Sequence, residues 1–152
     1  MVLLDTNIFI IDRFFRRDNR YEVNRAFIHR FPDMDASFSI FSLIELCGIA
    51  SFNLSESELE KWFFRFERVY RVTILPPKAE AFSFFEDWFE GFLDGLFKRI
   101  GQKMSYGDAV LLKEAEDYRL AGIITWNKKH FEARTKIEVL TPEEFLARSG
   151  ED

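Results

Sequence analysis

Paired cysteines, glycine-rich loops and long apolar runs are absent from this chain, and each absence excludes a class of protein. The single cysteine, Cys47, excludes intramolecular disulfides and zinc sites built from cysteine pairs, and it fits a reducing compartment. Without a glycine-rich phosphate loop, nucleoside triphosphate chemistry has no support. No stretch has the character of a signal sequence or the length of a membrane span, so we expect a cytoplasmic protein.

Positive charge and catalytic nucleophiles are also in short supply. The net charge is -5 and the pI is near 5.2. This balance argues against a uniformly basic nucleic-acid binder, but not against an enzyme that holds nucleic acid through one basic patch and a metal. Cys47 lies in an apolar segment and neither histidine has an evident relay partner, so a nucleophilic triad is not expected.

Phenylalanine, by contrast, is unusually abundant, with 19 copies among 152 residues. A chain of this length is typical of a single domain over 1–152 with a sizeable core. Aromatic side chains supply large apolar areas, and these copies exceed what a monomer of this size readily hides. We therefore expect the protein to associate with itself or with a partner.

Short apolar, strand-like segments alternate with helical patterns along the whole chain. The predicted strands are 2–4, 36–40, 71–75, 123–125 and 137–140. The predicted helices are 9–30, 41–50, 56–70, 78–100, 105–120 and one from about 142 onward. Short connections in this alternating order predict an α/β fold, in which a parallel sheet of four or five strands carries helices on both faces.

Polar residues follow several of these strands and can meet at one edge of the sheet. Asp5 ends the first strand, Glu45 is the lone acid of an apolar helix, and Asp108 lies in the first turn of another helix. Thr125 and Asn127 follow the fourth strand. Because ligands bind beyond the carboxyl ends of strands in open α/β sheets, these residues are candidates for a functional site.

Three carboxylates in one place repel each other unless a cation neutralises them. Oxygen ligands without histidine or cysteine suit Mg2+ or Mn2+ and disfavour zinc. The alternative for each acid is structural. Asp5 can cap a helix, Glu45 can face water, and Asp108 can simply favour the helix dipole. On that alternative the protein is a noncatalytic α/β binding module.

Four motifs in order resemble the PIN-domain nucleases, and most closely the VapC-like toxins of type II toxin-antitoxin pairs. They are Leu4-Asp5-Thr6-Asn7, the segment 42–46, the helix start 108–112 and the segment 124–131. The resemblance implies a PIN-like three-layer α/β/α sandwich and Mg2+ or Mn2+ dependent endoribonuclease activity on RNA. It also implies that Asp5, Glu45 and Asp108 are metal ligands. A homodimer and an inhibitory protein antitoxin are its implied partners.

The fourth position of the motif departs from the family pattern. Many members carry an acid two residues after the threonine, where this chain has Asn127. The loss of one negative charge predicts a single tightly held ion, with Thr125 and Asn127 orienting water or phosphate. A PIN nuclease of RNA processing or decay, without an antitoxin, is the alternative within the same family. A receiver-like signalling domain fits less well, because the acid lies on the first strand.

Basic side chains near these motifs are candidates to contact the RNA backbone. They comprise Arg13, Arg16, Arg17, Arg20, Lys128 and Lys129, with His130 beside the lysines. A solvated helix face or loop is the alternative for each group.

Overall fold

A five-stranded parallel sheet forms the centre of the protein, in a computed structural model that describes residues 1–79 and 84–149. The strands are β1 (Val2–Leu4), β2 (Ala36–Ser39), β3 (Thr73–Leu75), β4 (Gly122–Ile124) and β5 (Glu138–Leu140). Their spatial order is β3-β2-β1-β4-β5, and every pairing is parallel. The α/β prediction with its parallel sheet is therefore confirmed.

Helices cover both faces of this sheet. They are α1 (Thr6–Phe14), α2 (Tyr21–Ile28), α3 (Ile40–Ala50), α4 (Glu56–Tyr70), α5 (Phe85–Gly101), α6 (Tyr106–Asp117) and α7 (Pro142–Ser149). Side chains alternate along each strand, so Leu3 and Ile123 pack with α5 and α6, while Leu4 and Ile124 pack with α1 to α4. The result is a three-layer α/β/α sandwich.

Serine caps fix where several helices begin. Ser55 and Glu58 form a complete capping box at the start of α4, and Ser105 accepts a hydrogen bond from the Asp108 amide at the start of α6. Both caps follow from the sequence. Ser39 caps α3 in the same way and links the end of β2 directly to the helix that carries Glu45.

The predicted helix over 9–30 is wrong as a single element. Helix α1 ends at Phe14 and α2 begins at Tyr21. Between them the Asp18 carboxylate accepts a hydrogen bond from the Arg20 amide at 2.8 Å. An aspartate that bonds to the backbone two residues on favours a turn over a continued helix, which divides the predicted helix in two.

The end of α6 and the start of β3 also differ from the prediction, because non-glycine residues adopt left-handed conformations there. Arg119, at φ 54°, closes α6 at Asp117, so this helix is shorter than the predicted 105–120. Arg71, also at φ 54°, closes α4 and delays β3 to Thr73. The left-handed position that ends a helix is usually occupied by glycine. Where arginine occupies it, the sequence does not indicate that the helix ends.

The predicted helix over 78–100 begins later, with Phe84 as the N-cap of α5. Residues 78–79 are not helical, and 80–83, including the predicted aromatic Phe82, lie outside the described residues. No helix within 1–79 and 84–149 combines the length and apolar character needed to cross a membrane.

Candidate active site

The central strands β1 and β4 place two polar residues side by side at the carboxyl edge of the sheet. Leu4 pairs with Ile124 at the last position of both strands. The parallel pairing continues one residue further, because the Asp5 amide donates a hydrogen bond to the Ile124 carbonyl at 3.0 Å. Asp5 and Thr125 therefore leave adjacent strands at the same level, at the carboxyl edge of the sheet.

Thr125 is the centre of a hydrogen-bond network around the Asp5 carboxylate. Its hydroxyl donates to Asp5 Oδ2 and accepts from the Asn7 side-chain amide at 3.1 Å and from the Asn127 backbone amide at 2.9 Å. Asn7 Nδ2 also donates to Asp5 Oδ2, at 2.6 Å. Asp5 occupies the N-cap position of α1, but its side chain makes no cap hydrogen bond, so the capping alternative is wrong for this carboxylate.

Glu45 approaches the same edge from α3. The Thr6 hydroxyl donates to Glu45 Oε2 at 3.0 Å. The other oxygen lies over the start of α6, where a Cβ on Gly107 would be only 2.9 Å from Glu45 Oε1. Glu45 is largely exposed, as its solvent-facing alternative predicts, but its carboxylate is held by Thr6.

Asp108 completes the set from the first turn of α6. Its amide is capped by Ser105, and its Oδ2 lies 3.0 Å from Nδ1 of His130. His130 belongs to a short 3-10 helix, Lys128–His130, just after β4. The sequence predicted no partner for either histidine, so this contact is a correction. The sequence indicates this contact only through the position of His130, which lies close to Thr125 and Asn127 along the chain.

The three acids share a cleft of about 160 Å³. Its walls also include Thr6, Asn7, Gly107 and Asn127. Burial raises the pKa of Asp5 to about 6; the Thr125 hydrogen bond opposes this rise, and the negative charges of Asp108 and then Glu45 add to it. The negative charges of Asp108 and Glu45 therefore disfavour the charged form of Asp5.

These residues fit an oxygen-preferring cation that keeps much of its hydration. All three side chains present carboxylate oxygens, the ligands that Mg2+ and Mn2+ favour. Across the described part of the chain, however, no three His, Cys, Asp or Glu side chains stand arranged to hold one ion directly. Mg2+ usually retains several waters and uses one or two protein carboxylates, so the donor set suits such an ion.

The predicted RNA-contacting arginines divide into two groups. Arg13, Arg16 and Arg17 are exposed and line a depression of about 590 Å³ beside the end of α1. Arg20 instead forms an ion pair with Asp18 and lies over the Trp126 ring, 5.7 Å from its centroid. Within the described residues, only the first group is exposed without an ion pair.

The two predicted lysines also differ. Lys128 Nζ lies 2.7 Å from a Glu144 oxygen and 3.2 Å from a Glu132 oxygen, so its charge is already compensated within the chain. Lys129 is exposed. Lys129 is the better candidate for a phosphate contact, because Lys128 would first have to break its ion pairs with Glu132 and Glu144.

Trp126 fixes the segment after β4, a role that the sequence did not suggest. Its Nε1 donates to Asn24 Oδ1 at 2.8 Å, and Asn24 Nδ2 donates to the Ile8 carbonyl at 2.9 Å. Asn24 is fully buried, and a lone asparagine in an amphipathic helix gives little warning of such a contact.

In comparisons with known proteins, no family model matches this chain and no curated protein matches it.

Proposed function

We propose that this protein is a Mg2+ or Mn2+ dependent endoribonuclease, a hydrolase that cleaves RNA phosphodiester bonds. One observation carries the proposal. Asp5, Glu45 and Asp108 come from three separate elements and line a single cleft at the carboxyl edge of the sheet. Structural caps have no reason to share a cleft, whereas a site for a divalent cation needs this concentration of negative charge.

The surrounding residues hold each carboxylate in place. Thr125 and Asn7 fix Asp5, Thr6 fixes Glu45, and His130 contacts Asp108. Partners of this kind orient metal-binding carboxylates and are commonly required for full affinity. A divalent ion bound there would supply an activated water and neutralise charge on the phosphate.

Asn127 supports a site with one strongly held ion. It lines the cleft where the resembling nucleases commonly have an acid. Its side chain is neutral, so the described residues that line the cleft include three carboxylates and no fourth. A second ion would therefore be weakly held. Asn127 can instead donate or accept a hydrogen bond to water or phosphate.

We further propose that the protein is the cytoplasmic toxin of a toxin-antitoxin pair and forms a homodimer. Large apolar side chains exposed on the surface support partner binding. Those more than half exposed include Ile44, Phe52, Phe64, Phe84, Phe85 and Phe97. Exposed apolar area of this extent is typical of protein interfaces.

A noncatalytic binding module is the second candidate. Within 1–79 and 84–149, no three candidate ligands are positioned for direct coordination of one ion, and this observation favours it. Metal-dependent RNA cleavage distinguishes the two candidates. Only the nuclease has this activity, and it requires both a divalent cation and an intact Asp108.

The deciding experiment is cleavage of a mixed RNA pool by purified protein with Mg2+, with Mn2+ or with EDTA. Asp108→Asn is compared with Asp94→Asn, an exposed acid on α5 outside the cleft. We expect cleavage only with metal, its loss in Asp108→Asn, and its retention in Asp94→Asn. Cleavage that survives in Asp108→Asn would reject the assignment. Folded proteins that neither cleave RNA nor bind Mg2+ would favour the binding module.

A further inference from the structure

The connection between α1 and α2 forms a basic depression on an acidic protein. It measures about 590 Å³, against about 160 Å³ for the carboxylate cleft. Its lining consists of Arg13, Phe14, Phe15, Arg16, Arg17 and Asp18. Three guanidinium groups gathered here contrast with the net charge of -5 for the chain. A local basic patch of this kind attracts polyanions.

The positive charges of Arg16 and Arg17 are not compensated by an ion pair within the described residues. Arg16 and Arg17 are exposed and form no ion pair there. The acid in the lining, Asp18, is already bound by Arg20 through two side-chain hydrogen bonds, at 2.9 and 2.7 Å. Asp18 therefore does little to neutralise Arg16 and Arg17.

An aromatic ring lies among these cations without a ring partner. Phe14 packs against Trp62, with the ring centroids 6.2 Å apart. Phe15, the next residue, is 55% exposed and makes no ring contact with the described part of the chain. A ring exposed to solvent and flanked by arginines is the combination that binds single-stranded nucleic acid, through base stacking and phosphate contacts.

A path of side chains connects this depression to the carboxylate cleft. Asp18 holds Arg20, and the Arg20 guanidinium lies over the Trp126 ring. Trp126 directly precedes Asn127, which lines the cleft. Contacts therefore link the depression, through Asp18, Arg20 and Trp126, to the segment that carries Asn127.

We infer that Phe15 stacks an unpaired base of a single-stranded RNA whose phosphates contact Arg16 and Arg17. This inference rests on the proposed nuclease function and adds to it a base-stacking site at Phe15, outside the carboxylate cleft. Bases within a duplex are stacked on each other, so they cannot offer a face to Phe15.

The test is binding of a labelled single-stranded RNA of about 12 nucleotides, a length within the usual site size, to the full chain in EDTA. Phe15→Leu keeps an apolar side chain but removes the ring, and Phe64→Leu is the matched control because Phe64 is 77% exposed on α4. We expect Phe15→Leu to weaken binding about tenfold, within the range that stacking on one aromatic supports. Phe64→Leu should bind as the wild type does.

The salt dependence of binding tests the arginines separately. Replacing Arg16 and Arg17 by Gln should reduce the slope of log affinity against log salt by about 1.4, because each phosphate contact to a single strand contributes about 0.7. Phe15→Leu should leave this slope unchanged. The control is Arg65→Gln with Arg68→Gln, two exposed arginines of α4 outside the depression.

Three results would overturn the inference: wild-type affinity in Phe15→Leu, duplex RNA binding as tightly as single-stranded RNA, or poly-glutamate competing as well as RNA. The last would point to an acidic protein partner. Binding in EDTA is independent of cleavage, so the two proposals fail separately. Phe15-dependent binding without cleavage in Mg2+ would reject only the nuclease, and cleavage with Phe15-independent binding would reject only the stacking site.

Discussion

Glu114 is a buried carboxylate with no role in the cleft. It is 1% exposed in α6, and neither of its oxygens has a hydrogen-bond partner among the described residues. Burial raises its pKa to about 7; the Ser39 hydroxyl lies near enough to favour the charged form, and Asp117 disfavours it. Between pH 4.5 and 7 the folded chain therefore holds a proton that the unfolded chain releases, and the stabilisation from this group is lost as pH rises.

Glu114→Gln should raise the free energy of unfolding at pH 8 by up to about 3 kcal/mol, because it removes a charge that is costly to bury. Near pH 5, where wild-type Glu114 is protonated, the two proteins should be nearly equal. Urea unfolding at both pH values measures the effect, with Glu60→Gln on the exposed surface of α4 as the control. A gain of equal size at pH 5 would show that charge is not the cause.

Asp5→Asn should stabilise the metal-free protein at pH 7.5, by up to about 3 kcal/mol, because at this pH the wild-type carboxylate is ionised although its surroundings disfavour the charge. The Asn oxygen can still accept from Thr125 and Asn7, so the fold should be kept. Thermal unfolding in EDTA and in Mg2+ measures both effects. Mg2+ should raise the melting temperature of the wild type but not of Asp5→Asn, and an equal rise in both would exclude Asp5 as a ligand.

Individual site residues were predictable to different degrees. Asp5, Glu45 and Asp108 could be placed at one edge because each lies near a strand end or helix start, and the alternation of elements defines that edge. The contact of His130 with Asp108 depends on a 3-10 turn after β4, which has no pattern of its own. The ion pair of Lys128 depends on Glu144 in α7. The local sequence does not show that α7 packs beside Lys128.

At the scale of elements, the close approach of α3 to α6 depends on the absence of a side chain at Gly107. Gly107→Ala should leave the protein equally or more stable, because alanine favours helix and the atom in its way is the flexible end of Glu45. The Glu45 carboxylate must move, so Mg2+ affinity and cleavage should fall about tenfold, as for other changes beside a metal site.

Gly91→Ala in α5 is the matched control, because its added Cβ would meet nothing within 4 Å. It should show a similar stability change and unaltered Mg2+ binding by calorimetry. Equal Mg2+ affinity in Gly107→Ala and the wild type would mean that Glu45 is not needed at its present position.

The elements themselves followed from the sequence where capping and periodicity agreed. The serine caps of α4 and α6 were both identified, and all five strands exist. Two helices ended earlier than predicted, because a local hydrogen bond forms a turn at Asp18 and a left-handed residue follows α6 at Arg119. The left-handed Arg71 follows α4 at its predicted end and delays the start of β3. Helix α5 begins after Phe84, later than predicted.

For the whole molecule, the exposed stripe on α5 predicts self-association. Phe85, Phe89, Leu93 and Phe97 repeat every four residues, and each is at least 43% exposed. Sedimentation velocity at micromolar concentration should show a dimer, and Phe85→Ser with Phe97→Ser should yield a monomer, because the change removes two large rings from the stripe. Phe52→Ser, which is 90% exposed before α4, is the control. A wild type that sediments as a monomer would contradict the dimer.

The order of the strands was the part of the architecture that the sequence did not reveal. Parallel pairing and helices on both faces followed from the alternation of elements. The order β3-β2-β1-β4-β5 places the first strand in the centre, and no local pattern in Val2–Leu4 indicates which two strands will flank it.

This central position of β1 also sets the time at which the cleft can assemble during synthesis. Asp5 leaves the ribosome first among the acids, but its hydrogen-bond partner Thr125 lies 120 residues later. Until β4 emerges, one side of β1 has no neighbour, although Glu45 and Asp108 have already been made. A growing chain therefore contains all three acids before it contains β4, and the cleft can be completed only after β4 has been made.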